Sequence, residues 1–273
     1  MRYSILAVLF AGALSAAPIP GALRSHLTFH ASFDKGFDAD VAKGDKSLYT
    51  APSFKEIASA KPGAAAADIA IDPKGGIAGG GALQFKSKNT HAVFFHAAKA
   101  FTLAAGSSSY WLKVDPQKDL DTFTDAMQIT DKDYNDSGIW TDFPATGNPK
   151  PFRLGVFGAL KSWNPDNKPP NANPDFDRRL VVLNNPPISR DKWTHVVITW
   201  SGLGTASATA ALYVDGKLVG NATGIKEPFA WDEAQVAMRI GLNYVGWLDE
   251  VAAFDKALSA KEVETLYRAG GGK

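Results

Sequence analysis

Residues 193–200 read Trp193-Thr194-His195-Val196-Val197-Ile198-Thr199-Trp200. Apolar side chains fall on both parities of this run. Successive side chains of a β-strand point to opposite faces, so such a strand is covered on both sides. That is the pattern of an inner strand in a packed sandwich. Downstream, residues 208–214, Asp215-Gly216 and residues 217–219 read as a hairpin, because Asp-Gly accepts the two positive φ values of a type I′ turn. Residues 236–242 and 246–254 are two further strands. Ser259-Ala260-Lys261-Glu262 is a capping box. It opens a short helix with Val263, Leu266 and Tyr267 on one face, and Gly270 to Gly272 end it.

Upstream, residues 26–33 alternate and stop at Asp34-Lys35-Gly36, a strand followed by a turn. Residues 37–80 are irregular. Gly79-Gly80-Gly81 leads into a short strand at 82–85, and residues 91–96 and 108–114 form two more. From 115 to 187 the chain turns rich in Asp, Asn, Pro and Lys. Strands are expected there at 152–157 and 180–183, with an extended polar loop at 162–171. Loops of that length are functional or disordered. The fold class expected is all-β: one two-sheet antiparallel β-sandwich, a jelly roll, with long loops and a short C-terminal helix. It occupies residues 18–273 as a single domain, with a loop-rich insertion at about 116–188.

Composition sets the class of partner. The chain has 273 residues, 45% hydrophobic and 21% charged, the usage of an ordinary globular protein. Lys and Arg total 29 against 28 Asp and Glu, which lacks the basic excess of a nucleic-acid binder. With no cysteine, disulfides, thiolate metal sites and thiol catalysis are excluded together. Residues 1–17 read as a secretory signal peptide: Arg2, an apolar stretch at 5–14, then Ser15, Ala16 and Ala17. That stretch is too short to span a bilayer and no other run approaches the length, so no membrane span is expected. An exported chain without cysteine fits a bacterial envelope, either secreted or periplasmic.

The order of the C-terminal pieces carries a family likeness. They are Trp193-Thr194-His195-Val196 with Thr199-Trp200, Leu212-Tyr213-Val214-Asp215-Gly216-Lys217, Arg239-Ile240-Gly241 and Gly246-Trp247-Leu248-Asp249-Glu250-Val251. Phe254, Ala257-Leu258-Ser259 and residues 262–267 follow. In this order the chain resembles the laminin G-like, or concanavalin A-like lectin and glucanase, jelly-roll family, in its bacterial pentraxin-like branch. The likeness is good over 190–267, fair over 80–115 and poor over 116–188. It speaks for the fold more than for a function, since this fold hosts lectins, adhesion modules, glycanases and lyases.

The resemblance implies one structural calcium where the first strand meets the last. Its ligands would be Asp249, Asp34 and backbone oxygens around Gly80, hard donors of the kind calcium takes. The plainer reading makes Asp249 and Glu250 edge polar residues and Asp34 a turn cap. For ligand binding, exposed aromatic rings among hydrogen-bonding groups suit the apolar faces and hydroxyls of sugars. Trp140, Trp163 and Tyr134, with Arg153, Asn164 and Asp166, form that candidate set. The alternative is that these rings pin the long loop to the sandwich. Trp111, Trp193, Trp200 and Trp247 lie in strands and are expected in the core.

Signs of catalysis are sparse. The Glu-x-Asp-x-x-Glu pattern of sandwich glucanases is absent. Gln128-Ile129-Thr130 lacks the His of the Gln-Ile-His segment in sandwich alginate lyases. There is no Gly-x-Ser-x-Gly elbow, and His195 reads as a packed histidine. The expected function is therefore an exported, non-catalytic binding module whose partner is a glycan or polysaccharide. Two alternatives stay open. One is a polysaccharide-cleaving enzyme with an unrecognised site in 116–188. The other is an adhesion module that binds a cell-surface protein.

Overall fold

The computed structural model describes residues 19–64, 66–223 and 225–273. The expected signal peptide at 1–17 lies outside them. In chain order the strands are β1 (Leu27–Ala31), β2 (Val41–Ala42), β3 (Leu48–Ala51), β4 (Lys61–Pro62), β5 (Ile69–Asp72) and β6 (Ala82–Phe85). Next come β7 (Ala92–His96), β8 (Ala105–Lys113), β9 (Thr124–Thr130), β10 (Gly138–Phe143), β11 (Phe152–Phe157) and β12 (Leu180–Leu183). The last five are β13 (Thr194–Ser201), β14 (Thr209–Val214), β15 (Lys217–Thr223), β16 (Ala237–Leu242) and β17 (Gly246–Phe254). Three short helices, α1 (Pro116–Asp119), α2 (Leu160–Trp163) and α3 (Ala260–Ala269), complete the list with several 3₁₀ turns.

Among the described residues the strands form two antiparallel sheets. The first runs β15-β14-β13-β8-β17-β1-β2, with β6 pairing the start of β17 and β5 pairing β6. The second runs β12-β11-β10-β9-β16-β7-β3-β4. They face each other as the expected sandwich. β13 shows why its sequence is apolar on both parities. Val196, Ile198 and Trp200 point into the core between the sheets. Val197, one step out of phase, points the other way and packs under α3 with Phe254, Val263 and Leu266. The helix exists because Ser259 and Glu262 close their capping box, and it stays because its apolar face covers the outer side of the first sheet. The β14–β15 hairpin turns at Asp215 (φ 49°) and Gly216 (φ 75°), the type I′ geometry read from the sequence. His195 is fully buried, paired with Ser109 Oγ at 2.9 Å, and burial pushes its imidazole down to about 3.

The stretch 116–188 differs from its reading as an insertion. It supplies β9, β10, β11 and β12, half of the second sheet. Its polar texture has a physical cause. The inward residues of these strands, such as Met127, Ile129, Ile139, Phe143, Phe152 and Leu154, are buried in the core, while their outward residues face a groove and are free to be polar.

Candidate functional site

Register across the second sheet builds the site. One row of facing residues runs Arg239, Gln128, Trp140, Gly155 over β16, β9, β10 and β11. The next row runs Leu242, Asp125, Asp142, Arg153 over the same strands. Asp125 and Gln128 differ in parity, yet both reach the outer side. A register shift in the β9–β10 pairing takes up one residue near Ala126, and Ala126 and Met127 both enter the core. Such a bulge re-aims a side chain. Here it turns a strand of mixed polarity into one that presents two polar groups to the same face.

Two flanks raise walls over this face. On one side the 3₁₀ segment Phe54–Ser59 packs against Phe94 and Ala237. On the other, α2 and the chain after it pack Trp163 and Phe176 against Phe157 and Trp140. Between the walls runs a groove of about 650 Å³, which Phe54, Phe123, Tyr134, Arg153, Phe176 and Arg239 help to line. Clefts of this size that combine aromatic walls with a few convergent polar groups are the usual form of a small-molecule site.

The polar floor is tightly wired. Arg153 holds Asp142 with two donors, Nε to Oδ1 at 2.8 Å and Nη2 to Oδ2. Gln128 Nε2 donates to Asp125 Oδ2 at 3.3 Å, and Arg239 Nη1 donates to Gln128 Oε1 at 2.8 Å. Burial, and then the facing Asp142 carboxylate, push the Asp125 carboxyl well above the usual range. Burial also raises Asp142, against the pull of Arg153. Burial lowers the Arg239 guanidinium, against the pull of Asp133, Asp131 and Asp125.

The structure sorts the sequence candidates. Tyr134, Trp140 and Arg153 line the groove. Trp140, however, is only 2% exposed, so it is a wall and not an open platform. Its indole lies where a side chain on Gly155 would be, stacks on Phe157 at 5.6 Å, and donates through Nε1 to the Tyr134 carbonyl at 2.9 Å. The expectation of an exposed Trp163 is corrected in the same sense. That ring is 7% exposed, tied by Nε1 to the Asn135 carbonyl at 2.9 Å and covered by Arg179 at 4.8 Å. Asn164 is buried too, and its side chain ties the 164–168 turn through both the N–H and the carbonyl of Lys168. Asp166 is exposed and pairs with Lys168 at 3.4 Å. Neither Trp163, Asn164 nor Asp166 lines the groove. They pin the loop that forms its wall.

The open aromatic ring is Phe123, 55% exposed at the groove, with the Arg153 guanidinium 5.9 Å from its centre. The sequence reading did not place it among the ligand-binding candidates, nor Asp125, Gln128, Asp142 or Arg239. Phe123 stands just before β9, where no local pattern marks it as exposed, and its exposure is set by tertiary packing.

The three residues named for calcium lie together where β1, β17 and the loop before β6 meet in the first sheet. Asp34 Oδ1 accepts from the Gly81 N–H at 2.7 Å, and Asp249 Oδ2 accepts from the Ile77 N–H at 2.7 Å. The loop between is glycine-rich because the two carboxylates crowd it. A side chain on Gly80 would overlap Asp34, and one on Gly76 would overlap Gly81 and press on Asp249. Burial, then Glu250, raise the Asp249 carboxyl to about 8. Among the described residues no three His, Asp or Glu side chains cluster as a metal cage, so a cation there would draw on backbone oxygens for the rest of its shell.

Comparison with known proteins places this architecture. No curated protein sequence matches the chain. Domain 4 of AbnA, an extracellular arabinanase from Geobacillus stearothermophilus, in complex with arabinotriose, is similar at TM-score 0.54 and 16% identity, over 89% of this chain and 98% of that one. The ligand-binding domain of botulinum neurotoxin serotype D, in complex with N-acetylneuraminic acid, is similar at TM-score 0.58 and 11% identity, over 93% of this chain and 52% of that one. The receptor-binding domain of botulinum neurotoxin type G is similar at TM-score 0.55 and 12% identity, over 89% of this chain and 51% of that one. This chain thus spans about half of each toxin structure, and at such identities the likeness is one of fold. The sequence model described as the concanavalin A-like lectin/glucanases superfamily matches residues 86–264, right through the stretch read as an insertion. With two antiparallel sheets and a match over most of its length, the chain belongs to the concanavalin A-like lectin/glucanase superfamily.

Proposed function

We propose that the protein is a glycan-binding module and that the groove on the outer face of its second sheet takes the sugar. The observation that carries this reading is the open Phe123 ring beside a row of polar groups, Asp125, Gln128, Asp142 and Arg153, along one groove. A ring offers a sugar its apolar face, and the row offers donors and acceptors for hydroxyls. The structures similar in fold support it: their ligands, arabinotriose in one and N-acetylneuraminic acid in another, are sugars. The signal-like residues 1–17 and the absence of cysteine support export to a bacterial envelope. Calcium belongs to the same reading as a structural ion. Asp34, Asp249 and the backbone of the 76–81 loop supply oxygen donors, and a cation would offset the burial that chiefly raises Asp249 and the charge of Glu250 that adds to it.

The test is a polysaccharide-affinity panel read by affinity electrophoresis and calorimetry. Phe123→Ala should weaken binding to a responsive polysaccharide about tenfold, or ~1.4 kcal/mol. Stability should stay within ~0.5 kcal/mol of wild type, as for a surface change. Undiminished binding would remove the ring from the site.

One observation favours a second reading, that of a polysaccharide-cleaving enzyme. Asp125 and Asp142 face each other across β9 and β10, and both carboxyls are raised, as acid and base pairs often are. Against it, both oxygens of Asp142 are held by Arg153. Assay of reducing ends and of unsaturated products on the same samples separates the readings: product means an enzyme, binding without product a module.

A further inference from the structure

A guanidinium taken out of water is expected to meet a carboxylate, because an unpaired buried charge is costly. Arg153 obeys this rule through Asp142. Arg239 does not. It is 8% exposed and lines the groove. Two of its donors are used, Nη1 on Gln128 Oε1 at 2.8 Å and Nη2 on the Lys132 carbonyl at 2.9 Å, and both acceptors are neutral. Its Nε is buried with no hydrogen-bond partner. Among the described residues no carboxylate lies within ion-pairing distance of it. Asp131, Asp133 and Asp125 act on it only at range. Asp131 is engaged through Oδ2 by the Asp232 N–H and by Lys132, its Oδ1 being buried without a partner, and Asp125 is engaged by Gln128. Lys55 and Lys132 line the same groove beside Asp125, Asp133 and Asp142, of which Asp142 is held by Arg153 and Lys132 pairs with Asp131. The Phe54 ring, 5.2 Å from the guanidinium carbon, backs its plane.

We infer that this groove selects an acidic glycan, and that Arg239 receives the carboxylate of a uronic-acid unit. The inference rests on the glycan-binding reading and narrows it to a class. A planar fork whose Nη1 and Nη2 each keep a second N–H matches a planar carboxylate in two-point contact better than it matches a tetrahedral sulfate. Gln128, already bonded to Arg239, holds the guanidinium in place from the neighbouring strand.

The experiment compares matched polymers on the full-length protein: polygalacturonate, alginate and hyaluronate, each beside its carboxyl-reduced form, with dextran sulfate and neutral arabinan and xylan as controls. We expect at least one polyuronate to bind tenfold or more tightly than its reduced form, and dextran sulfate to bind weakly. Arg239→Met should erase the difference, and Arg239→Lys, which keeps the charge without the fork, should restore part of it. Should the Met variant fail to fold, the wild-type comparison of acidic and reduced polymers still decides. Equal binding of both forms, or dextran sulfate matching the polyuronates, overturns the inference. Binding to neutral glycans alone also overturns it yet leaves the module reading intact, whereas silence across the panel removes both.

Discussion

Trp163 and Phe123 exchange the roles that local sequence suggests for them. Trp163 sits among Asn, Asp and Lys but is buried against Phe157 and Phe176, with ring centres at 5.0 and 6.5 Å. Trp163→Ala should cost ~3–5 kcal/mol, the range for deleting a large buried ring, seen as an early thermal transition. A near-wild-type melt would show that the ring is dispensable to the wall. Asp125 offers a second residue-level test, through pH. Its free carboxyl titrates near 3.8, and in the fold it is raised well above that. Between those values the folded protein holds a proton that the unfolded chain has released. Stability therefore falls as pH rises across the window, by up to ~1.4 kcal/mol per unit. Below 3.8 both states are protonated and the effect vanishes. Asp125→Asn should flatten this slope, so the variant gains on the wild type as pH climbs from about 4 toward neutrality. Parallel stability curves for the two proteins would refute the raised carboxyl.

At the scale of elements, the groove depends on how strands are spaced and capped. The Trp140 wall exists because β11 carries glycine at position 155, which lets the indole lie flat on the backbone. Gly155→Ala should force the ring off its stack with Phe157 and cost ~1–3 kcal/mol by overpacking. Ligand binding should fall with it. If stability and indole fluorescence were both unchanged, the close approach would not be a real constraint. The polar loop of the sequence reading is thus better described as a wall anchored by α2 and its following turns. Two of its asparagines bond to its own backbone, Asn164 to Lys168 and Asn173 to the Asp175 N–H, and several of its charged residues pair with one another or with Glu227.

For the molecule as a whole, β1, β17 and the glycine loop before β6 meet at one junction within the first sheet. If calcium holds that junction, wild-type protein should melt higher in calcium than in chelator, since a ligand bound only by the folded state stabilises it by mass action. Asp249→Ala should abolish the difference. Identical melts of wild type in calcium and in chelator would exclude a structural ion, and the Asp34 and Asp249 carboxylates would then serve only as caps for the loop. α3 covers part of the outer side of the first sheet, whereas the outer side of the second sheet carries the groove.

Sequence by itself determined the sandwich, the hairpin at Asp215-Gly216, the capped C-terminal helix and the burial of His195. Each is written in short-range pattern: alternation, turn residues and capping spacing act within a few positions. It also brought Tyr134 and Arg153 into the candidate set. Only the tertiary structure decided that β9 and β10 belong to the second sheet, that Trp163 is buried, and that Phe123, Asp125, Asp142, Gln128 and Arg239 share one groove. Those facts depend on a bulge that breaks period two and on register between β16, β9, β10 and β11, strands drawn from residues 124 to 242. Register is fixed by pairing across the sheet, and pairing partners far apart in the chain leave no mark on the local pattern that sequence reading uses.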